Sequence, residues 1–223
     1  MRTQPEFLSK EALESIAEYF LRVYRGDGRL EDRIPLDIDD FAEFHLRATI
    51  DYHQLSSDGS VLGMSVFREL TVPAVGDGSC KADMVFPART IVIDHKALSK
   101  SPESRLRFTI AHECAHLILH HDSVLEDSPM RCSSRSSYRA LTTESENART
   151  DSFDRAEYQA NYLGAALLMP RSTFSRAYRE LVPDGWYGLE EQEKHKVVSV
   201  LADAFETSLL ATSLRIKNLK LAR

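Results

Sequence analysis

Hydrophobic residues recur at helical spacing between residues 105 and 121, where the sequence reads RLRFTIAHECAHLILHH. The apolar positions that fall on one face, at about 100° per residue, are Leu106, Ile110, Cys114, Leu117 and Ile118. His112 and His116 fall on the opposite face. The pattern therefore predicts a helix with one side in the core and one side available for chemistry.

Apolar positions at helical spacing predict further helices on both sides of this segment. Their approximate bounds are 6–24, 37–47, 151–169, 170–181, 189–205 and 208–219. In the second of these we expect Asp37 to be the N-cap and Phe41, Phe44 and Leu46 to make the apolar contacts. The helix that Pro170 ends is apolar almost all round beyond Ala160, which is typical of a buried helix.

Short runs rich in β-branched residues predict strands between residues 50 and 94. The runs cover 61–67, 70–75 and 89–94, and turn-forming residues separate them. We expect a small sheet of three or four strands beside the 105–121 helix. An edge of this sheet could bind an extended peptide by strand addition, or the sheet could simply support the helix, and the pattern is compatible with both.

Together the elements predict a single α+β domain covering residues 1–223, in which a small mixed sheet packs on the histidine-bearing helix. Residues 1–49 would form an N-terminal helical scaffold, residues 50–181 the sheet and the helices of the site, and residues 189–220 a C-terminal helix pair. Residues 122–150 are rich in Ser, Arg and Glu. We expect them to form a long loop with partial order.

Charge and composition narrow the classes of partner. The net charge of -6 argues against a chain that mainly binds nucleic acid, which requires clustered positive charge. No apolar run reaches the roughly 18 residues of a membrane span, and no leader segment is evident at Met1. Cys80, Cys114 and Cys132 are too few and too far apart for a disulfide framework. We therefore expect a cytoplasmic protein.

His112, Glu113 and His116 form an HExxH pattern. Residues four apart on a helix lie about 40° apart around its axis, so both imidazoles can bind one metal ion. Glu113 lies about 100° round from His112, beside the ion without being a ligand. There it can act as a general base towards a water molecule, as in zinc peptidases.

Glu157 is the natural third ligand. It shares a helix face with Asn161, and a buried carboxylate is costly unless it is paired or binds a metal. We expect Asn161 to orient a ligand histidine through its other ring nitrogen. The competing interpretation places Glu157 in an exposed first turn, where it meets only an arginine.

Other histidines, cysteines and tyrosines are weaker candidates. His120 is about 12 Å along the helix from His112, too far to share its ion. We expect His120 and His121 at the helix C-terminus, where a partly charged histidine is favourable, and Cys114 in the core. Side chains that could stabilise an oxyanion, with no basis for choosing among them, are His195, Tyr138 and Tyr178.

With these residues in view, the chain from about residue 50 to its C-terminus resembles the ImmA/IrrE family of HExxH metallopeptidases. Residues 107–120 are similar to the family's RFTxAHExxHxxLH, and residues 157–170 to its ExxANxxAxxLLMP. Cys114-Ala115 stands where the family often has Leu-Gly. Gln159 stands where a Glu is common, which leaves Glu157 as the better ligand candidate.

This resemblance implies a zincin-like fold and a zinc-dependent endopeptidase with one zinc ion on His112, His116 and Glu157. The implied substrate is a regulatory protein, often a helix-turn-helix transcriptional repressor of a phage, mobile element or stress response. A different prediction is a binding module on the same fold that sequesters its partner without cutting it. A purely structural zinc site fits less well, because three protein ligands leave an open position that suits catalysis.

Overall fold

The computed structural model describes residues 6–26, 34–73, 83–120, 130–133 and 152–222. The α-helices are α1 Lys10–Arg25, α2 Ile38–Asp40, α3 His95–Leu98, α4 Glu103–Leu119, α5 Ser152–Leu168, α6 Arg171–Leu181, α7 Glu191–Phe205 and α8 Leu209–Asn218. The strands are β1 Thr49–His53, β2 Val61–Val66, β3 Leu70–Pro73, β4 Asp83–Phe86, β5 Thr90–Asp94 and β6 Met130–Ser133. The predicted α+β class, with a small mixed sheet, is confirmed.

Among the described residues, the main sheet has four strands in the order β1-β5-β2-β6. β1 runs parallel to β5, whereas β2 runs antiparallel to both β5 and β6. The predicted runs at 61–67 and 89–94 form the two central strands. The prediction that 70–75 joins the same sheet is wrong, because β3 pairs with β4 in a separate two-stranded sheet.

Helix α4 is buried on all sides at its centre, so the side predicted for chemistry, which bears His112 and His116, is enclosed by neighbouring elements as well. Every residue from Thr109 to Leu117 is buried. Helix α5 packs on one side of α4 and strand β2 on another. Gly164 allows the close approach of α5, since a Cβ atom there would lie 3.1 Å from the backbone nitrogen of His112.

The segment after Asp37 departs from a regular helix. Asp37 caps α2 as predicted, with its Oδ1 accepting a hydrogen bond from the Asp40 amide at 3.0 Å. A π-helical turn then covers Phe41–His45. This wider turn changes the phase of the side chains, so that Phe41 is buried whereas Phe44 is 74% exposed. The predicted apolar contact by Phe44 is therefore wrong.

A buried ion pair links the two ends of the chain. Arg215 on α8 donates to both carboxylate oxygens of Glu14 on α1, at 2.5 and 2.8 Å. Tyr162 on α5 donates to the same carboxylate at 2.8 Å. Helices α1, α5 and α8 are therefore held together by one polar cluster.

Helices α7 and α8 form the predicted C-terminal helix pair. Within the described part of the chain, no single helix combines the length and apolar character needed to cross a membrane. Taken together, α7 and α8 pass that test of length and composition, but the chain bends by 104° between them.

Candidate metal centre

Three side chains from α4 and α5 converge at the interface between these helices. The Nε2 atoms of His112 and His116 lie 3.0 Å apart. The Glu157 carboxylate lies 3.5 Å from the first Nε2 and 3.2 Å from the second. One ligand atom from each residue falls within 4.8 Å of the others, so the group could hold a metal ion.

The position of Glu157 follows from the burial of α5. Glu157 is only 2% exposed, so the interpretation that places it in an exposed turn is wrong. Residues 157 and 161 are one helical turn apart and share the face that meets α4. This places the Glu157 carboxylate beside both histidines.

Asn161 contacts the second ring nitrogen of His112. Its Oδ1 lies 3.1 Å from His112 Nδ1, while its Nδ2 donates to the Glu157 carbonyl at 2.8 Å. Because a carbonyl oxygen can only accept, the amide orientation is fixed and Oδ1 must accept from His112 Nδ1–H. The Nε2 atom of His112 then carries a lone pair towards the other two side chains.

His120 lies at the C-terminus of α4 as predicted, where it is the C-cap residue, but the expected partial charge is wrong. The residue is 4% exposed, and burial, together with the neighbouring His116, lowers its pKa to about 3. Its Nδ1 lies 2.9 Å from His116 Nδ1, and its Nε2 lies 3.1 Å from Gln159 Oε1. His120 is therefore a neutral neighbour of the site that contacts His116 rather than the ligand group.

Glu113 lies against strand β2. Its Oε2 is 2.6 Å from Ser65 Oγ, which is also 3.0 Å from the Glu113 carbonyl oxygen. Its Oε1 has no hydrogen-bond partner among the described residues. Burial raises the pKa of this carboxyl to about 7, against the opposing effects of His112 and Ser65. A carboxyl with this pKa can both accept and return a proton near neutral pH.

Gly63 makes room for Glu113. A Cβ atom at this position would lie 2.7 Å from Glu113 Oε1 and 2.9 Å from Thr109 Cγ2. Ser65 and Gly63 were predicted only as strand residues. The signal that could have identified them is their spacing, because two small residues at i and i+2 of an apolar strand mark one face that approaches a neighbour closely.

A divalent cation fits the converging side chains. Within the described residues, neither carboxylate oxygen of Glu157 has a hydrogen-bond donor, although the side chain is buried. Burial lowers the pKa of His116, so this ring is neutral at pH 7. A buried carboxylate and two imidazole nitrogens form a His₂Glu set, which is a known set of catalytic zinc ligands.

The remaining candidates lie elsewhere or outside the described residues. Cys114 is buried, as expected for a core residue. Tyr178 packs beside Trp186 at a ring distance of 6.0 Å in the C-terminal core cluster, and His195 is exposed on α7. Cys80, His121, Tyr138 and most of the predicted 122–150 loop lie outside the described residues. Strand β6, which is part of 122–150, belongs to the main sheet.

The fold and the site define a class, an α+β protein with a buried His-His-Glu group that could hold a metal ion. The family model for the IrrE N-terminal-like domain, a peptidase family, matches residues 60–217. The chain belongs to this family, and the predicted resemblance is confirmed. Neither the curated proteins nor the solved structures returned a match.

Proposed function

We propose that this chain is a zinc-dependent endopeptidase of zincin-like fold, with zinc held by His112, His116 and Glu157. The observation that carries the proposal is the convergence of these ligand atoms within 4.8 Å in a buried site. The carboxyl of Glu113 lies on the same helix turn and has one oxygen without a partner in the described residues. Membership of a peptidase family supports the same reaction class.

A zinc ion at this site would supply Lewis-acid chemistry, polarising a peptide carbonyl and acidifying a water molecule. Glu113 acts as the general base that takes a proton from the attacking water, and then returns it to the leaving amine. Its raised pKa suits both steps, because the proton is held and released near neutral pH. Ser65 holds the other carboxyl oxygen in place by its hydrogen bond at 2.6 Å.

The proposed substrate is a regulatory protein of the cytoplasm, a helix-turn-helix repressor of a phage, mobile element or stress response. The support for this class is the family resemblance. An extended segment of such a substrate could pair with β6, which has β2 as its neighbour in the main sheet. Strand addition at this edge would supply backbone hydrogen bonds without requiring a particular sequence.

The test compares wild-type protein with Glu113→Gln after both are loaded with zinc. The probes are purified helix-turn-helix regulators, including any encoded beside its gene, and mass spectrometry identifies new peptide termini. We expect cleavage by the wild type only, with zinc bound stoichiometrically by both proteins. Cleavage by Glu113→Gln at the wild-type rate would refute the assignment of the base.

Three other outcomes would favour different conclusions. Stoichiometric binding of a regulator without new termini would favour the binding module that does not cut. Failure of the wild-type protein to bind zinc would refute the metal site itself. Zinc binding by Glu157→Ala with the wild-type dissociation constant would refute Glu157 as a ligand.

A further inference from the structure

A chain of hydrogen-bond contacts leads from His116 away from the ligand group. His116 Nδ1 lies 2.9 Å from His120 Nδ1, and His120 Nε2 lies 3.1 Å from Gln159 Oε1. The amide nitrogen of Gln159 donates to the Glu6 carbonyl at 2.6 Å. Three side chains and one backbone group from α4, α5 and the N-terminal segment thus form a continuous series.

The direction of every hydrogen bond in this series follows from its last member. The Glu6 carbonyl can only accept, so the NH₂ group of Gln159 faces it and Oε1 faces His120. Oε1 can only accept, so His120 carries its proton on Nε2. His120 Nδ1 is then an acceptor, and the proton between the two rings belongs to His116 Nδ1.

We propose that Gln159 and His120 are positioning residues that hold the His116 proton on Nδ1 and thereby present its Nε2 lone pair to the metal ion. The inference deepens the proposed function, because it rests on His116 being a metal ligand. A histidine with its proton on Nε2 could not bind through that atom. His112 receives the equivalent support from Asn161 through a single amide, whereas His116 receives it through an additional ring.

The test uses variants of His120 that are similar in size but differ in acceptor capacity. An Asn side chain has its oxygen two bonds from Cβ, as His has Nδ1, so His120→Asn keeps an acceptor for His116. His120→Leu has a methyl group there and keeps none. Gln159→Leu removes the acceptor for His120. Thr212→Val serves as the control, because it removes one buried hydrogen bond, between the Thr212 and Thr207 hydroxyls at 2.8 Å, in a different part of the core.

Two measurements are made on each protein. Competition with a chromophoric chelator gives the zinc dissociation constant, and two-dimensional ¹H–¹⁵N spectra of the imidazole nitrogens give the tautomer of His116 in metal-free protein. We expect the Nδ1–H tautomer in the wild type and in His120→Asn, with similar zinc affinity. In His120→Leu and Gln159→Leu we expect a population of the Nε2–H tautomer and zinc binding weakened by about 10- to 100-fold.

The outcomes distinguish the proposed relay, which is the hydrogen-bonded series from Gln159 through His120 to His116, from the proposed peptidase activity. Wild-type zinc affinity and an unchanged His116 tautomer in His120→Leu would overturn the relay, whether or not the protein cleaves a substrate. An equal loss of zinc affinity in His120→Asn, His120→Leu and Thr212→Val would also overturn it, because the loss would then reflect general destabilisation. Normal zinc binding with the expected tautomers but no hydrolysis would refute the proposed function and leave the relay in place.

Discussion

Replacing Gly63 by alanine is expected to damage catalysis without removing the metal site. The added Cβ atom would lie 2.7 Å from Glu113 Oε1, 3.1 Å from Glu113 Cγ and 2.9 Å from Thr109 Cγ2. Carbon atoms pack best at about 3.5–4.0 Å, so the strand or Thr109 must move by roughly 0.6 Å or more. Thr109 resists this movement, because its hydroxyl donates to the Arg105 carbonyl at 2.9 Å. Strand β2 must therefore shift, and the Glu113 carboxyl, which the same Cβ atom would meet at 2.7 Å, is displaced with it.

The expected magnitude follows from these distances. A misplacement of about 1 Å in a catalytic group can lower the rate on the order of 100-fold, so we expect kcat to fall by about 10- to 100-fold. Overpacking of the β2 and α4 contact should lower the free energy of unfolding by about 1–3 kcal/mol. The zinc dissociation constant should stay within a few-fold of the wild type, because Glu113 is not a proposed ligand.

The assay combines single-turnover cleavage of the regulator, zinc competition and urea denaturation. Gly188→Ala is the matched control, since a Cβ atom there meets nothing within 4 Å. Cleavage by Gly63→Ala at the wild-type rate would refute the role of the Glu113 position. A loss of zinc binding equal to the loss of rate would show instead that the substitution disrupts the ligand group.

Three further predictions concern other polar side chains. Ser65→Ala should lower the cleavage rate and leave zinc affinity unchanged, since it frees the Glu113 carboxyl from its 2.6 Å contact; equal rates would contradict this. Arg215→Met should cost up to about 3–5 kcal/mol in urea denaturation, because buried Glu14 loses both guanidinium hydrogen bonds and keeps only Tyr162 at 2.8 Å and the Arg171 ion pair at 3.8 Å. Adding Glu14→Leu should recover part of the loss. Burial lowers the pKa of His45. Just below about pH 6.5, this residue therefore binds a proton in the unfolded chain but not in the folded protein. The free energy of unfolding should therefore fall as pH drops through about 6.5, and less so in His45→Phe; identical pH profiles would contradict the assignment.

The sequence predicted those parts of the fold whose signals are local. The helical spacing of His112 and His116 and the strands around residues 61–66 and 90–94 required no knowledge of distant contacts. β6 could not be predicted, because four residues in a stretch rich in Ser and Arg acquire their structure from pairing with β2. The exposure of Phe44 was missed because a π-helical turn breaks the regular helical period.

The candidate ligands were easier to predict than the residues that support them. Glu157 was identified by its spacing from Asn161 on an otherwise apolar helix. The spacing marks Ser65 as a small residue on a strand face and places His120 one turn from His116. It does not show that β2 packs against Glu113 or that Gln159 on α5 contacts His120. His120 was rejected as a ligand on distance, and the structure agrees, but burial gives it a different neighbour in His116.

Glu157 and Gln159 are the two residues of α5 considered for the third ligand, and their side chains contact different neighbours. Residues 157 and 159 lie about 200° apart around the helix, so they cannot both point at the same ligand group. Glu157 lies on the same helix face as Asn161 and contacts His112 and His116. Gln159 instead contacts His120 and the Glu6 carbonyl. A glutamate at position 159 would place its negative charge beside the His120 ring rather than among the metal-binding side chains. The glutamine therefore supplies both an acceptor for His120 and a donor for the N-terminal segment, which a carboxylate could not do.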